Sequence, residues 1–332
     1  MEPSKKPSSS GTIEISVVVP VRDEEDSVRE LLQGLLSQTL PPNEIVITDS
    51  GSIDATREII EEFIRRGAPI TLIRETAALP GRGRNVAVAH SRCDWIAFID
   101  AGTIPETDWL EHLAKPADSQ SDVDVVYGTY EPVTDSLFKL CAVMAYVAPP
   151  YEIDGRLIRP CSVVSALMKR SVWDHVGGFP EHLRSAEDLL FMRKIEGANF
   201  KIVRAPEALV HWQVQADPWQ TFKRFVRYAR HNMRAGLWLE WQAPLFKRYG
   251  LLLVTLLPAI ILGGKWLLVT LLLWILLLAV RAVVAVKRNR VRYPAGIVEN
   301  ALRLVMLTPL IALLDAATII GTLQWAVKDR WR

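Results

Sequence analysis

Asp100 closes the apolar run "WIAFID". A carboxylate at the end of such a run stands at the rim of a sheet, where its oxygens can hold a hard cation or take a proton. An acid two residues on would complete a metal clamp, but Gly102 stands there instead. Two more strand-like runs end in acids: "ISVVVPV" leads to Asp23, Glu24 and Glu25, and "EIVIT" to Asp49. Taken singly, such acids are ordinary loop residues or helix caps, and Asp54 reads as a cap. Three on successive strand ends point to a site for a polar, hydrogen-bonding ligand.

The elements that position them follow from periodicity. "IEISVVVPV" reads as a buried strand, and Val28, Leu31, Leu32, Leu35 and Leu36 recur at helical spacing after it. "NEIVITDSGSIDAT" is a strand, a loop and a helix start; "ATREIIEEFIRRG" is an amphipathic helix closed by Gly67. "PITLIRET", "GRGRNVAVAHSR" and "DWIAFIDAG" continue the alternation. The pattern predicts an α/β fold with a mainly parallel sheet and ligands at the carboxyl ends of its strands. No G-x-G-x-x-G or G-x-x-x-x-G-K-[ST] follows a strand, which argues against a dinucleotide oxidoreductase and excludes a P-loop. The 332 residues carry a net charge of +2, so nucleic acid is not an expected partner. Three scattered cysteines, Cys93, Cys141 and Cys161, suggest reduced thiols in a cytosol-facing domain.

The runs "VVVPVRDEE", "EIVITDSGSIDAT", "GRGRNVAVAHSRCDWIAFIDAGTIPETDWLEHL", "SALMKRSVWDHVGGF" and "AEDLLFMRKI" together resemble the inverting family-2 glycosyltransferases, over about residues 13–215. The resemblance implies a GT-A type, Rossmann-like sheet that moves a sugar from a nucleotide diphosphate to an acceptor hydroxyl. It implies a donor pocket lined by Pro20, Arg22, Glu24, Asp49, Arg84 and Asp100. Asp49 would accept a hydrogen bond from the base, and Arg84, with Asn85, would face the nucleotide. Gly177, Gly178 and Phe179 match a loop near donor sugar and acceptor. Asp188, with Glu187 beside it, matches the catalytic base. Inversion by single displacement needs such a carboxylate, and a helix start would hold it exposed and ionised.

The diphosphate leaving group calls for positive charge. Mn²⁺ or Mg²⁺ held by Asp100 and His211 is one source. Arginines near the pocket, Arg82 and Arg84 among them, are another. A site that binds a nucleotide sugar without turning it over is the third reading.

Composition changes near residue 245. Residues 266–286 are apolar for roughly 30 Å of helix, the thickness of a hydrocarbon layer. A run at 249–264 would pair with them as a hairpin turning at Gly263–Lys265. Lys247, Arg248, Lys287, Arg288, Arg290 and Arg292 flank that hairpin and place both ends on the cytoplasmic side. A third run, 302–327, carries Pro309 and Asp315 and reads as a crossing or as a re-entrant or interfacial element. In "DPWQTFKRFVRYARHNMRAG", Trp219, Phe222, Phe225, Val226, Ala229 and Met233 make one face and cations the other. Such a helix suits an anionic leaflet, or else covers a core.

The expected organisation is a disordered tail (1–12), a catalytic domain (13–215), an amphipathic interface helix (216–244) and a membrane domain (245–332). The expected function is transfer of a single sugar, with a lean to a UDP-sugar, onto a lipid or lipid-linked acceptor. The setting would be a bacterial-type inner membrane, multi-pass, with the catalytic domain facing the cytoplasm. The alternative is a catalytically weakened membrane scaffold that binds a nucleotide sugar.

Overall fold

The computed structural model describes residues 13–153 and 155–330, and the expected tail, residues 1–12, lies outside them. The first half alternates: β1 (Ile15–Val21), α1 (Val28–Leu36), β2 (Glu44–Asp49), α2 (Thr56–Arg65), β3 (Ile70–Arg74), α3 (Pro80–His90) and β4 (Trp95–Phe98). β5 (Thr103–Pro105), α4 (Trp109–Ser119), β6 (Val125–Pro132) and α5 (Leu137–Tyr146) follow. A small hairpin, β7 (Tyr151–Ile153) and β8 (Arg156–Ile158), leads to β9 (Ala166–Lys169), α6 (Arg170–Val176), α7 (Glu187–Glu196) and β10 (Ile202–Trp212).

Eight strands form one sheet in the order β3-β2-β1-β4-β9-β6-β10-β5. β1, β2, β3 and β4 pair in parallel, as do β6 and β10; β9 and β5 run against their neighbours. β2 is buried at every residue, which explains why its sequence is a continuous apolar run and does not alternate. Apolar clusters cover both faces, one around Leu31, Ile47 and Trp109, the other around Phe98, Phe179 and Phe191. The carboxyl ends of β1, β2, β4, β6 and β10 therefore share one rim.

The last third is helical: α8 (Pro218–Arg234), α9 (Trp238–Trp241), α10 (Ala243–Val254), α11 (Leu256–Leu262), α12 (Lys265–Asn289) and α13 (Ile297–Lys328). Asp217 caps α8 by accepting the Trp219 and Gln220 amides. The apolar run at 249–264 is divided between α10 and α11. Pro258 lacks the N–H that would bond Val254, and its ring crowds that carbonyl. α12 and α13 are long and apolar enough to cross a membrane, with mean hydropathy 2.7 and 2.1. α12 leaves Leu268 and Leu272 each 64% exposed, an apolar surface that water does not favour.

α13 is one 32-residue helix that passes through Pro309. Its inner face packs on α5 and on α12 through Leu307, Leu310, Ile311 and Leu314. Further along, Gly321 lies against α8. The apolar face of α8 is thus largely taken up by protein: Ala229 is buried and Phe225 meets Tyr146 with ring centroids 4.9 Å apart. Trp219 alone of its large apolar residues stays 61% exposed. Asp315, inside the helical layer, is held by Arg281 and by the Tyr249 hydroxyl.

A Cβ on Gly321 would lie 2.2 Å from the Val226 carbonyl oxygen and 2.8 Å from the Ala229 Cβ. Gly321→Val should therefore destabilise the detergent-solubilised protein by about 1–3 kcal/mol. Gly264→Ala, into open space, should stay within about 0.5 kcal/mol of the parent in the same denaturation experiment. Equal stabilities would show that α13 does not need its close approach to α8.

Candidate active site

Arg84 sits in α3 with its side chain 5% exposed, and its guanidinium joins two distant segments. Nη2 donates to Asp100 Oδ1 at 2.6 Å, and Nη1 to Glu187 Oε1 at 2.8 Å. The guanidinium lies 5.3 Å from the Phe179 ring centroid. Burial works against its charge, but Asp100, Glu187 and Asp188 outweigh that and hold its pKa above the ordinary value. The sequence-predicted residues Arg84, Asp100, Glu187 and Asp188 therefore form one cluster.

Asp188 differs from expectation in its surroundings. It is half-buried rather than exposed, and burial raises its carboxyl pKa while Arg84 opposes the rise. Burial raises Glu187 in the same way, and its Oε2 is buried without a partner. A carboxylate of raised pKa is a stronger base once ionised. Ala186, immediately before the pair, has φ 69°, a left-handed conformation that costs a non-glycine residue about 1–2 kcal/mol. That turn aims the start of α7 at Arg84.

The loop Gly177–Phe179 is clamped to α3. Asn85 Nδ2 donates to the Phe179 carbonyl at 2.9 Å, and Asn85 Oδ1 accepts the Phe179 amide at 2.9 Å. Gly177 and Gly178 have φ of 73° and 67°. The Phe179 ring is 2% exposed and stacks on Phe191 at 3.8 Å, so it supports Arg84 from below.

The first rim loop is partly as expected. Pro20 ends near Gly83, whose Cβ would lie 3.1 Å from the Pro20 Cβ. Arg22 is exposed beside Asp23, at 3.6 Å. Glu24 Oε2 accepts the Ser27 hydroxyl at 2.6 Å, and burial raises its pKa against that bond. Asp49 is a correction. Its side chain has no exposed surface; Oδ1 accepts the Ser52 amide, and Oδ2 accepts Arg57 Nε and Nη2 at 3.1 and 2.9 Å. Burial is outweighed by Ser52 and Arg57, and its pKa is lowered. It shapes the loop and has no face for a nucleotide base.

His211 is a second correction. It reaches the rim on β10, but its Nε2 lies 2.6 Å from Glu106 Oε1 and not on Asp100. Among the described residues no three His, Cys, Asp or Glu groups are placed to hold a metal. The protein's own donors therefore do not make a cation cage. A cation arriving on a diphosphate would meet Asp100 Oδ2, which makes no bond to the described residues, beside the open space at Gly102.

The arginines expected to replace it are otherwise engaged: Arg82 pairs with Glu75 and Glu181, and Arg84 with the two acids. Arg224, seen in the sequence only among the cations of its helix, lies beside Trp212 at the end of β10. Its guanidinium lies 5.1 Å from the Trp212 ring and its Nε donates to the Tyr228 hydroxyl at 2.6 Å. Burial lowers its pKa, but Tyr228, Tyr146 and Asp100 raise it further. Tyr228 stands four residues after Arg224 on α8, the only trace of this pair in the sequence.

Comparisons fit this geometry. Residues 16–167 match the family described as Glycosyl transferase family 2. Glycosyltransferase AglE of Haloferax volcanii is 25% identical over 201 residues, 59% of this chain and 65% of that protein. The poly(ribitol-phosphate) beta-N-acetylglucosaminyltransferase TarS of Staphylococcus aureus is 28% identical over 189 residues, 55% of this chain and 32% of that one. The match thus spans less than two-thirds of these curated relatives. The mannosyltransferase PcManGT of Pyrobaculum calidifontis, in complex with GDP-Man and Mn²⁺, has a TM-score of 0.55 at 20% identity, covering 96% of this chain and 88% of that one. S. aureus TarS 1–349 in complex with UDP-GlcNAc has a TM-score of 0.51 at 19% identity, covering 96% and 93%.

Arg84→Met leaves Glu187 and Asp100 without their cation. It should cost about 3–5 kcal/mol in chemical denaturation, and adding Glu187→Gln should restore part of that. A single variant as stable as the parent would mean that Arg84 does not carry the cluster.

Proposed function

We propose, from the premise that residues 16–167 form a family-2 glycosyltransferase domain of GT-A fold, that the chain moves one sugar from a nucleotide-diphosphate donor to a hydroxyl on a lipid-borne acceptor. The observation that carries this reading is the Arg84 bridge, which ties Asp100 of the strand end to Glu187 at the start of α7. It holds the strand-end acid Asp100 and the start of α7, which carries Asp188, in one cluster.

In the reaction the acceptor oxygen attacks the anomeric carbon from the face opposite the leaving group. The C–O bond to the diphosphate breaks, and its electron pair stays on the phosphate. Asp188 takes the acceptor's proton. Arg224 faces the growing charge on the diphosphate; a Mn²⁺ or Mg²⁺ ion brought by the donor would be held at Asp100 and would supply further positive charge there. TarS, a relative in complex with UDP-GlcNAc, supports the lean to a UDP-sugar. Family members that extend polymers often carry Q-x-x-R-W where this chain has "QTFKR", at Gln220–Arg224, and this difference with the short helical layer favours single transfer over polymer extension.

The helical layer is the membrane anchor in this reading. α12 enters the bilayer with α10 and α11. α13 stays at the interface, because α8 lies along it with Lys223, Arg224, Arg227, Arg230 and Arg234, and each charge drawn to mid-bilayer costs about 2.5–3.5 kcal/mol. A cysteine introduced at Asp329 should then react with an impermeant thiol reagent from the same side as one at Lys201. Labelling from opposite sides would mean that α13 crosses.

Asp188→Asn should cut nucleoside diphosphate release by about 10²–10⁴-fold while donor binding, read by thermal shift, persists. Full activity in that variant would remove Asp188 as the base. The ionised form is the active one, and burial raises its pKa. Activity should therefore rise with pH through a limb above the ordinary carboxylate range of about 4. Measurement of kcat/KM against pH checks this; a limb at or below that range would contradict it.

A further inference from the structure

Outside the catalytic cluster, several cations gather where α8, α13 and the segment entering α7 meet. A cavity of about 470 Å³ there is lined by Arg184, Lys223, Arg227, Arg230, His231 and Gln324. Asp329 holds Arg230 through both oxygens, at 2.6 and 2.8 Å. Among the described residues no carboxylate pairs with Arg184, Lys223 or Arg227. His231 adds no charge: burial, with Arg234 and Arg230 nearby, pushes it down to about 4. Its Nδ1 accepts the Arg184 backbone N–H at 3.0 Å, which ties Arg184 to α8. Arg227 is pushed below its ordinary value by burial and then by Arg184. Cations held together in this way lose free energy that an entering anion restores.

Three observations indicate which anion. Two guanidinium forks facing one cavity match the oxygens of a phosphate. Arg227 lies one helical turn, about 5 Å, beyond Arg224 on α8, so the cavity adjoins the helix that carries Arg224 to the Trp212 ring at the end of β10. On α13, Leu323 and Val327 flank Gln324 and are 59% and 78% exposed, an apolar path for a hydrocarbon chain.

We propose that this cavity binds the phosphate or diphosphate that joins a saccharide acceptor to its lipid. The proposal rests on the glycosyl-transfer reading and adds the place and chemistry of the acceptor's headgroup. It also makes the seam between α8 and α13 a binding site as well as a structural joint.

The test uses the full chain in detergent with geranyl phosphate as the probe. The probe should raise the melting temperature, with a smaller effect at high salt. Arg227→Gln and Arg184→Gln should each weaken binding about tenfold or more, whereas Lys201→Glu, on a remote surface, should not. These neutral variants avoid the folding risk of a charge reversal, and their own melting temperatures without the probe report the fold. Unchanged affinity in both, or no shift in the parent, overturns the proposal. Inorganic phosphate or geraniol matching geranyl phosphate at equal concentration overturns its lipid-phosphate part. Nucleotide-sugar shifts on the same samples separate the two ideas. A donor shift without a geranyl phosphate shift sinks only this pocket, whereas no shift across a donor panel sinks the transferase reading itself.

Discussion

One buried cation organises this protein. Arg84 has almost no access to water, and a guanidinium in that position needs compensation from fixed anions. Asp100 and Glu187 supply it directly, and Asp188 adds to the field. The dependence runs both ways, since a carboxylate as buried as Glu187 needs the cation. Phe179 completes the seat from below, and Asn85 fixes the loop that carries Phe179. The segment after β4 and the start of α7 are therefore coupled through one side chain.

A second ionic joint connects the sheet to the helical layer. Glu131, near the end of β6, accepts from Arg159, Arg292 and the Tyr293 hydroxyl. Arg292 and Tyr293 belong to the link between α12 and α13. Arg230 and Asp329 close the other end of α13. The catalytic sheet and the apolar helices are thus pinned at two places along α13, and Gly321 lets α8 approach between them.

The missing second acid at Gly102 has a physical counterpart elsewhere. A diphosphate leaving group needs positive charge, but that charge need not be a protein-caged metal. Arg224 brings a permanent cation to the same rim from a helix more than a hundred residues later in the chain. Trp212 and Tyr228 hold it flat, and Asp100 lies within its field. The loss at one position and the cation at another are compatible with a single working site.

Much was legible in the residues themselves. Alternation of apolar runs is a local property, so the order of strands and helices, the acids at strand ends and the apolar C-terminal helices could be read from spacing alone. Quantities set by contacts between distant segments could not. Nothing near Arg84 in the chain predicts that Glu187 would take its Nη1, and nothing near His211 points to Glu106. Asp188 was placed at a helix start, but its burial depends on how α7 meets α3. The face of α8 read the same whether lipid or protein covered it, and only the packing of α13 decided between them. Periodicity specifies which side of an element is apolar; burial, charge pairing and the partner on that side are properties of the assembled chain.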